Sequence, residues 1–428
     1  MRSPRAITSL VLSALAVTSL AWPLLAAAPT ARPEEVGLSA ERLKRVTDLM
    51  QRHIDAQTFS GAVTLVARRG RVAHFEAQGV MDVESRKPMQ KDAIFRIMSM
   101  TKPVVGVAVL MMLEEGKVRL TDPVSKFIPE LKGLQVAAPA VNPVTVPAPT
   151  GATVAPLPYV IVPAAREVMV RDLLTHSSGL MSGGMSSTQV RDVGIAAGET
   201  LAQVLPRLAK ASLDFHPGTR WAYSAQYGFD VLVRVVEVAS GVPFDRFAKQ
   251  RIFDPLGMKD TFFYPSDDTP RTATLYRRPE GALRKQPNPA FMNGAYISGG
   301  GGLFSTAEDY LQFAQMLLNG GQLDGRRLLS AQVVELMTSV FVPDTVPGRM
   351  PGEGFGLSVR VVDDPAARNT LLSKGSFGWR GAFNTHFFID PKKEIIGIFM
   401  TQVANLEQRG EIRNDFETAV MQAVISAP

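Results

Sequence analysis

Phe95-Arg96-Ile97-Met98-Ser99-Met100-Thr101-Lys102-Pro103 runs directly into an apolar stretch from Val104 to Leu113. Pro103 suits a first helical turn, where a missing N–H is no loss. The stretch behind it is apolar on all sides, the pattern of a core helix, and is too short to cross a bilayer. Ser99 stands three residues before Lys102, and residues three apart share a helix face, so hydroxyl and amine can meet. A neutral lysine there can take the serine's proton and leave an alkoxide-like nucleophile. Ser-x-x-Lys is short enough to arise by chance about once or twice in a chain of this length, and Ser99–Lys102 is its single match here. Its weight therefore depends on what the remaining chain supplies.

With 428 residues, 46% hydrophobic and 20% charged, the chain has material for a sizeable core or for two to three domains. The net charge of +6 includes Arg2 and Arg5 near the start, and no basic cluster with interleaved aromatics stands out. That argues against nucleic acid as a partner. The absence of cysteine excludes disulfides, thiolate metal sites and a cysteine nucleophile. His53, His74, His176, His216 and His386 are scattered and form no His-x-x-x-His pair, so no metal site is expected, and no cofactor. Ser298-Gly299-Gly300-Gly301-Gly302 follows no clear strand of a βαβ unit and reads as a tight loop rather than a phosphate cradle.

Met1 to Ala28 has the basic end, apolar middle and small-residue close of a secretory signal. A secreted, periplasmic protein with no stable membrane span after cleavage is the expectation. Ser39 is placed to cap an amphipathic helix carrying Leu43, Val46, Leu49 and Met50. Gly61–Arg68 and Arg71–Gly79 around Arg69-Gly70 read as a hairpin. Gly133 to Ala165 carries no charge and seven prolines between Pro139 and Pro163, an extended, polyproline-like excursion best read as a surface loop. His176 is expected to be a loop histidine bonding the backbone. Tyr223 to Ser240 predicts a helix closed by Gly241, and Ser305 to Leu318 another with a Ser/Thr cap. Phe355, Leu357, Val359 and Val361 alternate with smaller or polar residues, predicting one half-buried strand. Phe383–Ile389 and Glu394–Thr401 predict a hairpin, and Ile412, Phe416, Val420 and Val424 a closing helix.

Strands thus cluster at both ends with helices between. The economical arrangement is an α/β (α+β) fold: an antiparallel sheet flanked by helices and a mostly helical second part. The expected division is 33–118 with 340–428 as a discontinuous sheet domain, and 119–339 as a mostly helical domain holding the insert 133–165. Tyr223-Ser224-Ala225, placed to open a helix, can project a phenol toward Lys102 as base or proton shuttle. Gly378-Trp379-Arg380-Gly381-Ala382 enters a strand. An edge strand beside the nucleophile can offer a backbone N–H to an oxyanion, and Gly381 permits close approach.

Ser99-x-x-Lys102, Tyr223-Ser224-Ala225 and Trp379-Arg380-Gly381, in this order, resemble the serine β-lactamase and penicillin-binding-protein superfamily, for which Ser-x-x-Lys is a signature. The likeness is closest to the class C β-lactamase-like branch and its family VIII carboxylesterases, and covers about Pro33 to Val424 outside the insert. Leu173 to Leu180, Phe215 to Gly218 and Gly301 to Thr306 also look like that branch. The resemblance implies a β-lactamase-like fold, Ser99 as acylated nucleophile, and Lys102 and Tyr223 as its proton-transfer partners. It further implies an oxyanion hole from the Ser99 and Ala382 N–H groups, and a substrate surface from Trp379, Arg380, Gly381 and Ala225. Which of Lys102 and Tyr223 takes the first proton stays open.

Two departures bear on substrate. Ala225 stands where class C β-lactamases have the asparagine of Tyr-x-Asn, so an amide for the substrate carbonyl is missing. Trp379 replaces the lysine of Lys-Thr-Gly, removing a cation for a β-lactam carboxylate. Arg380 can restore charge, although strand alternation turns neighbouring side chains to opposite faces. These features favour a small-molecule ester over a β-lactam or D-amino-acid peptide. Expression of the full chain in a Gram-negative host is expected to yield a periplasmic protein beginning just after Ala28, read by intact-mass spectrometry. A cytoplasmic product retaining Met1 would remove the export reading.

Overall fold

The computed structural model describes residues 28–139, 159–186, 195–196, 198–265, 269–292 and 294–425. The expected signal segment before Ala28 and the middle of the proline-rich insert lie outside the described residues.

Ser39 Oγ accepts the Arg42 N–H and caps α1 (Ala40–Asp55), which buries Leu43, Val46, Leu49 and Met50. Arg69 and Gly70, at φ 53° and 71°, turn the chain between β1 (Gly61–Arg68) and β2 (Arg71–Asp82). Positive φ at both turn residues matches the right-handed twist of the flanking strands. Lys87–Pro88 (β3) adds a short edge strand to β2.

The remaining strands come from the far end of the chain: β4 (Glu353–Phe355), β5 (Arg360–Val362), β6 (Phe377–Arg380), β7 (His386–Asp390) and β8 (Ile395–Met400). They join in the order β4-β5-β6-β7-β8-β1-β2-β3, and every pair is antiparallel. The two ends of the chain meet where β1 pairs β8, with Val63 opposite Met400 and Leu65 opposite Ile398. Side chains alternate across a strand. Accordingly Val63, Leu65 and Ala67 enter one core, and Ala62 and Val66 a second. The second core is closed by α1 and by α5 (Arg409–Met421), whose Ile412, Phe416 and Val420 are buried.

On the other face lies α2 (Thr101–Glu114), with every residue from Thr101 to Met112 buried. It packs against α3 (Tyr227–Ser240), which ends at Gly241 with φ 74°. Thr306 caps α4 (Ala307–Leu318) by accepting the Asp309 N–H. This is the α/β architecture expected, an antiparallel sheet flanked by helices. Among the described residues no helix is long and apolar enough to cross a membrane.

Three expectations are corrected. The alternation from Phe355 to Val361 is not one strand but the tight hairpin between β4 and β5, with Phe355 opposite Arg360. Gly356 lies against the Met337 carbonyl, where a Cβ would sit 2.3 Å away, and Ser358 reverses the chain at φ 72°. Leu357 and Val359 are buried in spite of the turn, so burial imitates a strand pattern. Next, β6 is an interior strand between β5 and β7 rather than an edge. Its pairing with β5 ends at Gly378–Arg360, which leaves the segment from Gly381 onward unladdered on that side. Finally, the ends of the uncharged insert are extended but paired, Gln135–Pro139 with Tyr159–Pro163, with prolines only at the strand ends.

One position tests the packing of α2 on this hairpin. Helix propensity favours Gly106→Ala by up to ~1 kcal/mol, but the new Cβ would lie 2.0 Å from Ser358 Oγ and 2.8 Å from its Cβ. Gly106→Ala is therefore expected to destabilise by ~1–3 kcal/mol. Ser358→Gly in the same chain should recover most of the loss, because it removes the obstruction and suits the positive φ. Denaturant unfolding of the single and double variants measures both.

Candidate active site

Ser99 sits on one turn of 3-10 helix (Met98–Met100) at the entrance to α2 and is 8% exposed. Met98, immediately before it, is held at φ 48°. A non-glycine residue in that region costs of order 1–3 kcal/mol and persists only where surrounding contacts over-determine it. Here the Ile97 N–H donates to the Leu303 carbonyl at 3.0 Å, Thr101 Oγ1 accepts the Leu303 N–H at 3.2 Å, and the Tyr310 hydroxyl donates to the Met100 carbonyl at 2.9 Å.

Lys102 is completely buried. Its Nζ lies 2.6 Å from the Ala225 carbonyl, 2.7 Å from the Gly300 carbonyl and 3.2 Å from Ser99 Oγ. Three acceptors match the three N–H donors of an ammonium. The Tyr223 hydroxyl donates to Ser99 Oγ at 2.7 Å, and the Lys102 nitrogen is 5.0 Å from the centre of the Tyr223 ring. The structure therefore brings Ser99, Lys102 and Tyr223 into one hydrogen-bonded group.

Tyr223 does not open a helix, contrary to expectation: α3 begins four residues later, at Tyr227. The segment before it is irregular because its polar groups are used elsewhere. The Ala222 N–H donates to the His176 carbonyl at 3.0 Å, the Ser224 N–H to His176 Nδ1 at 3.3 Å, and Ser224 Oγ accepts the Gly228 N–H at 3.1 Å. His176 is thus a backbone-bonding loop residue. It is buried among the rings of Tyr223, Phe355 and Phe229, with centroids 4.6, 5.2 and 5.3 Å away. Burial, with the Lys102 and Arg349 charges behind it, drives its pKa well below the ordinary histidine value, so the imidazole is neutral. It shapes the wall behind Tyr223 and makes no contact with Ser99.

The glycine run forms the floor. At Gly300 a Cβ would stand 2.5 Å from the Gln226 Cα and 2.9 Å from the Gln226 carbonyl, so only glycine lets this loop approach close enough for its carbonyl to reach Lys102. The Gly300 N–H donates to Asp230 Oδ1 at 3.0 Å, as does the Ser298 hydroxyl, while the Tyr296 hydroxyl donates to Oδ2 at 2.6 Å. Asp230 is itself fully buried on α3. Burial raises its pKa, and these three donors together with the Lys102 charge oppose that rise. Sequence reading passed over Asp230; its signal is a lone acid among apolar residues in the first turn of α3.

Trp379, on β6, is buried and faces this group, 5.6 Å from the Tyr223 ring and 5.2 Å from Phe355. Arg380 is exposed, its guanidinium folded back to 5.5 Å from the Trp379 ring. Gly381 must be glycine: a Cβ would meet Thr385 Oγ1 at 2.1 Å and the Ile97 carbonyl at 2.5 Å. Beyond it, the Ala382 N–H meets no acceptor among the described residues. Ser99, Tyr223, Trp379, Arg380, Gly381 and Ala382 line one cleft of about 730 Å³. Ala225 is placed differently. Its carbonyl holds Lys102, while its methyl group is exposed and lies outside that lining. Across the cleft Arg360 and Arg368 pair with Glu417 or Glu353, whereas Arg380 and Arg409 have no ion-pair partner among the described residues.

The site thus joins a sheet shared by both ends of the chain, a buried helix behind a serine, and a lysine and a tyrosine on that serine. The beta-lactamase family profile matches residues 46–422, and the chain belongs to the beta-lactamase family. It is 32% identical over 404 residues to Esterase EstB of Burkholderia gladioli, covering 88% of this chain and 93% of EstB. It is 28% identical to the D-alanyl-D-alanine-carboxypeptidase/endopeptidase AmpH of Escherichia coli K12, covering 90% and 89%. Among solved structures it is similar to EstCE1, described as a hydrolase with promiscuous acyltransferase activity, with TM-score 0.73, 28% identity, and 89% of this chain and 99% of that one covered. The chain is a hydrolase of the beta-lactamase superfamily.

Asp230→Ala would strand three donors beside a buried lysine and is expected to cost ~3–5 kcal/mol. Asp230→Asn keeps an oxygen for the Gly300 and Ser298 donors and should cost less. Thermal and denaturant unfolding, with kcat/KM on any turned-over substrate, would rank the two. Equal stability of Asp230→Ala and the parent would show that the carboxylate is not what holds the Gly300 loop.

Proposed function

We propose that the protein is an exported serine esterase that cleaves short-chain acyl esters through an acyl-enzyme on Ser99. The observation that carries the mechanism is the hydrogen-bond arrangement at Ser99. Lys102 spends its donors on two carbonyls and Ser99 Oγ, which suits a charged lysine; Ser99 Oγ also accepts from Tyr223 Oη at 2.7 Å and donates to the Gly300 carbonyl at 3.3 Å. In the reacting form Tyr223 is a phenolate beside the Lys102 ammonium. It takes the Ser99 proton as Oγ attacks the ester carbonyl carbon. The carbonyl oxygen becomes an oxyanion facing the N–H groups of Ser99 and Ala382. As the C–O bond to the leaving group breaks, Tyr223 returns the proton to the departing alkoxide, which leaves as alcohol. Water then repeats the sequence: Tyr223 takes its proton, the hydroxide oxygen attacks the acyl carbon, and Ser99 Oγ leaves with the proton as the carboxylic acid is released.

The ester reading rests on Trp379, whose apolar ring stands beside Tyr223 where a lysine would select a carboxylate, and on the likeness to EstB and EstCE1. One observation favours a second reading. Arg380 and Arg409 leave unpaired charge at the cleft, which would suit the carboxylate of a β-lactam or of a D-alanyl peptide, the class named for AmpH.

Purified mature protein on p-nitrophenyl butyrate and on a chromogenic cephalosporin separates the two. Ester turnover is expected, and cephalosporin turnover without it would reverse the order. Ser99→Ala should abolish turnover, and Tyr223→Phe should lower kcat by ~10²–10⁴-fold with little change in KM. Lys102→Arg should lose nearly all activity, since a planar fork cannot meet three acceptors arranged around an ammonium. Substantial activity in Lys102→Arg would mean that charge alone is needed there.

A further inference from the structure

Arg413 lies in the second turn of α5, is 6% exposed and lines the cleft. Its position is unfavourable for the fold on two counts. Among the described residues no carboxylate lies within ion-pair distance of it: Glu417, one turn further on, gives Oε1 to Arg360 at 2.7 Å and to His386 at 2.9 Å. Its Nε is buried without a hydrogen-bond partner, and burial pulls the guanidinium pKa down to about 9. Its one close polar contact is Nη2 donating to the Gly381 carbonyl at 2.7 Å.

That carbonyl belongs to the peptide whose other end is the Ala382 N–H. We infer that Arg413 is a positioning residue for the oxyanion hole, holding and polarising the Gly381–Ala382 peptide so that its N–H faces the carbonyl oxygen of the substrate. A cation on the oxygen of an amide draws electron density from its nitrogen, and hydrogen bonds in such a chain strengthen one another. The Ala382 N–H is thereby a stronger donor to a developing negative charge, which is where oxyanion stabilisation acts.

The surrounding loop fits this role. The Asn384 N–H also donates to the Gly381 carbonyl, at 3.2 Å, and the Gly381 N–H donates to the Thr385 carbonyl at 2.8 Å. Thr385 Oγ1 donates to the Ile97 carbonyl at 3.0 Å, two residues before Ser99. The 381–385 loop is therefore tied to the turn that carries Ser99, and Arg413 sets the tilt of the Gly381–Ala382 peptide within it. The inference rests on the reading of Ser99 as nucleophile and Ala382 as oxyanion donor.

Arg413→Met and Arg413→Ala are the test, with p-nitrophenyl butyrate kinetics, unfolding temperature and the affinity of an alkylboronic acid that mimics the tetrahedral adduct. The expected result is a fall in kcat of ~10–100-fold, below the ~10²–10³ for loss of an oxyanion donor itself. KM should stay nearly constant, boronate affinity should fall in parallel with kcat, and unfolding temperature should be unchanged or raised. In Arg413→Ala, millimolar guanidinium chloride should restore part of kcat where sodium chloride does not. If removal of the side chain prevents folding, Arg413→Lys keeps a shorter cation there, and its kcat and boronate affinity should fall together. Parent kcat in the variants, or a kcat loss matched by destabilisation with boronate affinity unchanged, would overturn the inference. Labelling by a fluorophosphonate keeps this separate from the nucleophile assignment: failure to modify Ser99 in the parent protein would remove that assignment instead.

Discussion

The structure turns on a lysine amine with no access to water. Leaving an isolated ammonium buried would cost many kcal/mol, so Lys102 obliges its surroundings to supply acceptors. The Ala225 carbonyl comes from the irregular segment before α3, the Gly300 carbonyl from the glycine loop, and Ser99 Oγ from the turn before α2. Asp230 then compensates from behind, bound to the same glycine loop. Three segments far apart in the chain are brought to one point by the needs of one charge.

That requirement explains features that look unrelated along the chain. Gly300 admits no side chain because the backbone must come close to Gln226. The segment at Tyr223 stays out of the helix because its amides are committed to His176 and its carbonyl at Ala225 to Lys102. Met98 is kept in a left-handed conformation by contacts from Leu303 and Tyr310 on either side of it. Stability is invested here in placing a hydroxyl between a phenol and an amine, and the neutral, ring-enclosed His176 keeps the back of the phenol dry.

The opposite wall is built from the last third of the chain and obeys a different rule. There the sheet supplies rigidity, and glycine and arginine supply reach: Gly381 lets the loop approach Ile97, and Arg413 grips its carbonyl. Trp379 joins this wall to the aromatic group around His176, so the cleft is apolar at the serine and cationic toward α5.

Much of this was legible along the chain. The Arg69-Gly70 turn between two strand-like runs marked β1 and β2, and apolar residues at helical spacing marked α1 and α5, because burial of one helix face imposes a spacing that tertiary context does not alter. Ser99, Lys102, Tyr223 and the Trp379–Ala382 segment could be named from residue type and order. Where the alternating pattern came from burial in a turn, at Phe355 to Val361, the spacing misled, since packing can bury a hairpin loop as fully as a strand. Arg413 carried no local signal and Asp230 only that of a lone acid in an apolar helix, because an acid or an arginine on a helix acquires its role only from the loop that packs on it. The sequence by itself determined which groups the chemistry has available and that their helix would be buried. Only the tertiary structure decided that Lys102 meets three acceptors, that Ala225 serves through its carbonyl rather than its side chain, and that the Ala382 N–H stays free. Those outcomes depend on where distant backbone segments come to rest, and close packing of the whole fold sets that position.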